Sequence, residues 1–204
     1  MKKVNLVTKE QKKDIKQELN WISTAEIQTI YNGLLTKANS MLSNKQIFNA
    51  PTMMEFLLLS FLGGVSGIAP RRSLDYALLK VKNYDAKKDN YYKAGKFYFN
   101  IYKTAKNYGL QVIDVPKDLN IILKRWIKLN NNDYMLYSTN GNPLTSPQIT
   151  RILNKVFGKN VSTSLLRHIY LTDVYKNMPA LSKMEELAAQ MSHSVGQALE
   201  YVKH

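Results

Sequence analysis

Cysteine is missing from this chain of 204 residues. Without thiols the chain can form no disulfide, hold no thiolate-bound metal and offer no cysteine nucleophile. Such a composition is typical of proteins in reducing compartments. We therefore expect an intracellular protein that is not secreted, in the cytoplasm or, if it is viral, in the host nucleus.

Long apolar runs are missing as well. The most apolar segment, Met53–Ala69, contains Glu55, three glycines and two serines, and it is shorter than the roughly 20 apolar residues that cross a bilayer. The segment Met1–Asp14 is basic and no apolar stretch follows it, which excludes a secretory signal peptide. The sequence therefore predicts a soluble protein.

Acidic residues are few. The chain has 15 Asp and Glu against 29 Lys and Arg, which gives a formal net charge of +14 at pH 7. Self-repulsion of this kind destabilises a compact chain unless a polyanion neutralises it. Nucleic acid is the commonest polyanionic partner, and an anionic membrane surface is the second candidate. Because 45% of the residues are apolar, the composition indicates a globular chain.

Helical signals cover most of the chain. Ser23 and Glu26 have the spacing of a capping box, and apolar residues at helical spacing follow them. Pro51 suits the first turn of a helix that runs to Leu62. Pro70 is expected to start a further helix after a glycine-rich break.

The middle of the chain has a different period. Between Tyr91 and Val115, apolar Phe97 and Phe99 alternate with more polar residues, which predicts strand, turn and strand. The fold class expected is mainly α with a small antiparallel β-sheet (α+β). We expect a short basic arm or helix at residues 1–22 and one domain over residues 23–204.

Several common catalytic signatures are absent from the sequence. It has no phosphate-binding glycine loop and no serine nucleophile elbow. Its three histidines, His168, His193 and His204, lack the spacing of metal ligands. No metal and no cofactor is predicted, and what remains is a set of arginines at the starts of helical segments and Tyr201.

Four short segments resemble a known family when they are taken together. They are Gly67-Ile-Ala-Pro-Arg71-Arg72-Ser-Leu-Asp75, Tyr102-Lys103-Thr104, Ser164-Leu-Leu-Arg167-His168, and Met191-Ser-His193-Ser, which continues to Glu200-Tyr201. In this order they resemble the active-site boxes of the tyrosine recombinases, the family of the phage-type integrases, and they span about residues 24–201. Asp75 stands three residues after Arg72, as an acid does after the first arginine in that family.

The resemblance implies a role for each matching residue. It implies that Arg72, Lys103, Arg167, His193 and Tyr201 are catalytic in a site-specific DNA recombinase or integrase. Tyr201 would attack a DNA phosphodiester and form a 3′-phosphotyrosine, after which the strands are rejoined without a metal. Two guanidiniums can donate paired hydrogen bonds to the phosphate oxygens on which charge develops, and Lys103 would protonate the leaving oxygen.

Some of these assignments have alternatives. Arg71 competes with Arg72 if the local helix is shifted, and Lys106 is the second choice for Lys103. Ser164 stands where the family has a histidine, and a serine can bind a phosphate but cannot act as a base at neutral pH. His168 completes the set of candidate active-site residues.

The resemblance also implies a partner, double-stranded DNA, and no membrane. Its backbone would be contacted by basic side chains, with Lys12, Lys13, Lys16, Arg71 and Lys103 as the candidates. Relatives assemble as tetramers on DNA, and this chain alone is expected to be a monomer. Two other functions stay open: a non-catalytic DNA-binding module of the same fold, and a relative such as a type IB topoisomerase or a telomere resolvase. The Lys and Asn bias suggests a viral or mobile-element origin.

Overall fold

The structure is a computed structural model that describes residues 13–176, 178–190 and 194–196. The described residues divide into two compact units: Asn20–Asp173, here called the core unit, and the segments that flank it, up to Leu19 and from Val174. Lys12, His193 and Tyr201 lie outside the described residues. The candidate site described below lies in the core unit.

Helices account for most of the described secondary structure. They are α1 (Ile15–Asn20), α2 (Thr24–Ser43), α3 (Ala50–Leu62), α4 (Ser73–Ala77), α5 (Ala105–Tyr108), α6 (Lys117–Leu129), α7 (Ser146–Phe157), α8 (Thr163–Val174) and α9 (Leu181–Gln190), with a 3-10 turn at Lys45–Ile47. The strands are β1 (Leu79–Lys80), β2 (Asn90–Lys93), β3 (Lys96–Phe99) and β4 (Gln111–Asp114). The prediction of a mainly α fold with a small sheet is confirmed. Among the described helices, none is both long and apolar enough to span a membrane.

The sheet corrects one part of the predicted fold class. Its order is β1-β2-β3-β4, and β3 pairs antiparallel with both β2 and β4. β1, however, pairs parallel with β2, so the sheet is mixed and the prediction of an antiparallel sheet is wrong at this edge. A strand of two residues is too short to show an alternating pattern, and its direction depends on how the chain returns through residues 81–89.

The core unit is built around α3, in which Met53, Met54 and every residue from Phe56 to Leu62 is buried. A helix that is apolar all round is typical of the centre of a core, and α3 packs against α2 and α7. Its first turn contains Pro51, as predicted. The predicted capping box at the start of α2 is also confirmed, because the Ser23 side chain accepts from the Glu26 backbone N–H and Glu26 accepts from Ser23 in return.

Helix α4 starts later than the sequence predicted. Pro70 does not open it: Arg72 is the N-cap residue, with extended backbone at ψ 147°, and Ser73 is the first helical residue. The helix then buries Asp75 and leaves Leu74 52% exposed. Tyr76 and Ala77 of the same helix are buried as well, and the Asp75 carboxylate accepts a hydrogen bond from Arg71 Nε.

Candidate active site

Two open cavities on the core unit share Pro70 and Arg167 in their linings. The first, of about 220 Å³, is lined by Pro70, Arg71, Arg72, Asp75, Tyr102, Thr104, Tyr108, Gln111 and Arg167. The second, of about 210 Å³, is lined by Ala69, Pro70, Ser164, Arg167, His168, Tyr170 and Leu171. We call them the arginine cavity and the serine cavity.

The lining of the arginine cavity comes from four separate parts of the chain. Arg71 and Arg72 lie in the extended segment before α4, and Arg167 lies on α8. The connection between β3 and β4 supplies Tyr102, Thr104 and Tyr108, and β4 begins with Gln111. Residues far apart in the sequence therefore meet at one cavity, in part because β4 pairs with β3.

Arg71 is the most firmly held of the three arginines. Its Nε donates to Asp75 Oδ2 at 2.9 Å, and its Nη1 donates to Gln111 Oε1 at 2.6 Å. The guanidinium carbon lies 4.3 Å from the ring centroid of Phe99 and 5.1 Å from that of Tyr102. The side chain is 17% exposed. Because a guanidinium has five N–H donors and these bonds use two nitrogens once each, further donors remain for an anion in the cavity.

Among the described residues that line the arginine cavity, Asp75 is the only acid. Its side chain is 5% exposed, and this burial raises the pKa of the carboxyl because the charged form loses its hydration. Arg71, and more weakly Arg72 and Arg167, pull the pKa back down. With three guanidiniums against one carboxylate, the cavity is positively charged and suits an anionic ligand.

Arg72 and Arg167 have freer surroundings than Arg71. Arg72 is exposed, and its side chain makes no capping hydrogen bond at the start of α4. Arg167 is partly buried, and its Nε donates to the Thr163 carbonyl at 3.4 Å, within α8. Since Arg167 lines both cavities, an anion bound to it can also reach the side of Ser164 and His168.

A buried asparagine joins α4 to the connection between β3 and β4. Asn90 is fully buried. Its Nδ2 donates to the Asp75 carbonyl at 3.0 Å and to the Ile101 carbonyl at 2.8 Å. Its Oδ1 accepts from the backbone N–H groups of Asn100, at 2.8 Å, and Ile101, at 2.7 Å. The amide thereby uses both donors and both acceptor sites, and it fixes the start of the connection that leads to Lys103.

The structure brings some of the sequence-predicted residues together and leaves others apart. Arg71, Arg72 and Arg167 line one cavity, and Ser164 and His168 line its neighbour with Arg167. Lys103 is exposed between two lining residues, and Lys106 is exposed on α5; neither belongs to the linings given above for the arginine and serine cavities. Lys13 and Lys16 are exposed in the flanking unit. The predictions for Lys12, His193 and Tyr201 fall outside the described residues.

Sequence reasoning missed Gln111 and Asn90. Their partners stand up to 40 residues away in the chain, and a glutamine or asparagine in a strand gives no local signal of such a contact. Only the strand register, with Gln111 opposite Phe99, places Gln111 beside the Arg71 guanidinium.

Two solved structures resemble this chain. One is the XerH site-specific recombinase bound to its difH substrate in a pre-cleavage complex: it is 19% identical, with a TM-score of 0.43, and the match covers 90% of this chain and 52% of that chain. The other is the XerA recombinase, at 14% identity and a TM-score of 0.34, covering 98% of this chain and 84% of that one. This chain spans about half the length of the XerH chain. No protein-family model matches this chain, and no curated protein matches its sequence.

Proposed function

We propose that this chain is the catalytic domain of a tyrosine recombinase, which cuts and rejoins double-stranded DNA through a covalent bond to Tyr201. The observation that supports this most directly is the arginine cavity, in which three guanidiniums from two distant segments surround one open, positively charged space. The four sequence segments in family order support the same function, because two of them supply those arginines.

The arginine cavity suits a phosphodiester. During attack the phosphorus becomes pentavalent and its non-bridging oxygens gain negative charge, which fixed N–H donors stabilise. We assign Arg71 and Arg167 to those oxygens. The spacing to Asp75 in the sequence favours Arg72 instead of Arg71, but Arg71 is the arginine whose donors are oriented by Asp75 and Gln111. We therefore assign the exposed Arg72 to a flanking phosphate.

The chemical steps are a transfer of the phosphoryl group to tyrosine and back. The Tyr201 phenol gives its proton to water, its oxygen bonds to phosphorus, and the bond from phosphorus to the 5′ oxygen breaks. A phenol with a pKa near 10 is a weak nucleophile at neutral pH, so the cationic cavity is needed to stabilise the phenolate. Lys103 gives a proton to the departing 5′ oxygen, His193 adds a donor to the phosphate, and Ser164 can hydrogen-bond the phosphate from the serine cavity.

Covalent trapping tests this function. The purified chain is incubated without added metal with duplexes that have a single bridging phosphorothiolate, since the sulfur that leaves is a poor nucleophile for rejoining. We expect an adduct that resists denaturant, that is lost in Tyr201→Phe and that is retained in the matched control Tyr175→Phe, whose exposed tyrosine lies outside the core unit. Lys103→Ala should abolish cleavage of ordinary duplexes and spare the phosphorothiolate, because a thiolate leaves without a general acid.

Three outcomes contradict the proposal in different ways. An adduct that survives Tyr201→Phe assigns the nucleophile to another residue. The chain can also bind DNA in a salt-sensitive way and form no adduct, even on duplexes taken from the DNA that surrounds its own gene. That result indicates a non-catalytic DNA-binding module. Relaxation of supercoiled DNA without exchange between two sites indicates an activity like that of a type IB topoisomerase.

A further inference from the structure

We infer that Gln111 is a positioning residue of the arginine cavity, which orients the Arg71 guanidinium through a neutral hydrogen bond and leaves its positive charge available to a DNA phosphate. The inference rests on the proposed function, because it takes the ligand to be a phosphodiester. It goes beyond the four family-like segments, since Gln111 lies in none of them.

The register of the sheet places Gln111 beside Arg71. Gln111 is the first residue of β4 and pairs with Phe99 of β3, the residue whose ring lies 4.3 Å from the Arg71 guanidinium carbon. Alternation along β4 gives Gln111 and Ile113 intermediate burial and leaves Val112 and Asp114 exposed. The side chain of Gln111 therefore reaches the cavity because of where β4 begins.

Two hydrogen bonds at different nitrogens fix a guanidinium better than one. Asp75 accepts from Nε and Gln111 accepts from Nη1, while the rings of Phe99 and Tyr102 lie within cation–π distance. A contact at Nε alone leaves the outer nitrogens free to swing about the side-chain bonds. The second contact at Nη1 removes that freedom, so the remaining N–H groups point in a fixed direction before a ligand arrives.

The neutrality of Gln111 matters as much as its position. Asp75 already places one carboxylate against Arg71. A second carboxylate at position 111 would set two negative charges against the one guanidinium of Arg71 and repel an anion, whereas an amide oxygen accepts the same hydrogen bond without adding charge. The inference thus predicts different defects for an apolar and an acidic replacement of Gln111.

NMR of the full chain tests the inference, because the side-chain N–H signals of Arg71 report on its orientation and on the binding of inorganic phosphate, which is the probe. The Arg71 side-chain N–H signals are assigned with Arg71→Lys and followed in the wild type, Gln111→Met and Gln111→Glu. Val112→Glu is the matched control, because it adds the same charge at the next, exposed position of β4. Melting temperatures of all variants show whether each is folded.

In the wild type we expect distinct signals for the two outer nitrogens of Arg71 and a shift when phosphate is added. Gln111→Met should merge the two signals and weaken phosphate binding at Arg71 about three- to tenfold, as expected for one lost hydrogen bond. Gln111→Glu should keep the signals distinct and weaken phosphate binding about tenfold or more. Val112→Glu should leave the signals and the affinity unchanged.

Opposite results overturn the inference. It is wrong if a folded Gln111→Met keeps both distinct signals and the wild-type phosphate affinity, if Gln111→Glu binds phosphate as well as the wild type, or if phosphate does not shift the wild-type Arg71 signals. These readouts do not need cleavage. A chain that shows the Gln111 dependence but forms no DNA adduct contradicts the proposed function alone, and a chain that forms adducts at the wild-type rate in both Gln111 variants contradicts the inference alone.

Discussion

Arg71 and Arg72 are neighbours in the sequence, but their side chains have different surroundings. The sequence register favours Arg72, because an acid stands three residues after it. In the structure that acid, Asp75, accepts from Arg71, and Arg72 is the exposed N-cap residue of α4. Packing therefore separates two residues that spacing alone leaves as alternatives.

Replacing each of these arginines by lysine tests which one serves the scissile phosphate. A lysine at position 71 cannot contact Asp75, Gln111 and a phosphate at once, because it lacks the planar fork of donors. We expect Arg71→Lys to slow single-turnover adduct formation about 100-fold or more, the usual cost of losing one transition-state donor. Arg72→Lys, at an exposed position, should slow it by less than about tenfold. The opposite order of the two rates would support the sequence register and reassign the first guanidinium to Arg72.

At the scale of elements, the connection between β3 and β4 is oriented by one side chain. Asn90 on β2 satisfies the carbonyls of Asp75 and Ile101 and the N–H groups of Asn100 and Ile101. These backbone groups belong to α4 and to the start of the connection, so the segment with Lys103 is held relative to the segment with Arg71.

Removal of this amide should lower the stability of the chain. Asn90→Ala removes the partner of the Asp75 carbonyl in a buried contact, and of three backbone groups of Asn100 and Ile101 in partly buried contacts. An unpaired buried group costs about 1–3 kcal/mol and a partly buried one costs less because water can reach it, so the expected loss in the free energy of unfolding is about 2–4 kcal/mol. Urea denaturation followed by tryptophan fluorescence measures it, since Trp21 and Trp126 both lie in the core unit. The control Asn107→Ala, at an exposed position on α5, should change stability by less than about 0.5 kcal/mol. Equal effects of the two substitutions would show that the Asn90 contacts contribute nothing specific.

The elements that could be predicted from the sequence are those with local signals. The Ser23 capping box, the proline in the first turn of α3 and the alternation of Phe97 and Phe99 each depend on residues close together in the chain. The parallel pairing of β1 and the late start of α4 depend on tertiary contacts. The predictions of a purely antiparallel sheet and of a helix that starts at Pro70 are therefore wrong at these two places. For the same reason the family-like segments led to Arg71, Arg72 and Arg167 in one cavity, whereas Gln111 and Asn90 emerged only from the fold. Lys103, His193 and Tyr201 stay predictions.

At the scale of the whole molecule, the net charge of +14 and the arginine cavity would affect the binding of the proposed DNA ligand in different ways. Excess positive charge attracts any polyanion over long range and raises its rate of encounter. It does not select one phosphate. The cavity can select one phosphate, because its donors have fixed directions. The salt dependence of DNA affinity in suitable variants separates the two contributions.

DNA binding should weaken steeply with salt, and part of that dependence should be assignable to the cavity. Each phosphate contact adds about −0.9 to the slope of log K against log salt concentration. The basic residues in or beside the cavity, Arg71, Arg72, Lys103, Lys106 and Arg167, together predict a slope of about −4 or steeper. Fluorescence anisotropy of a short non-specific duplex between about 50 and about 200 mM salt measures it.

Arg72→Gln removes one exposed cavity charge and should make that slope shallower by about 0.9. Lys155→Gln is the matched control, because Lys155 is already paired with Glu55 at 2.7 Å. The loss of a lysine that is paired with a carboxylate should change the salt slope of DNA binding little. A wild-type slope shallower than about −2 would contradict phosphate binding across the cavity. An equal change in the two variants would show instead that the chain binds DNA through its net charge alone, since a contact made by diffuse attraction does not depend on which lysine or arginine is lost.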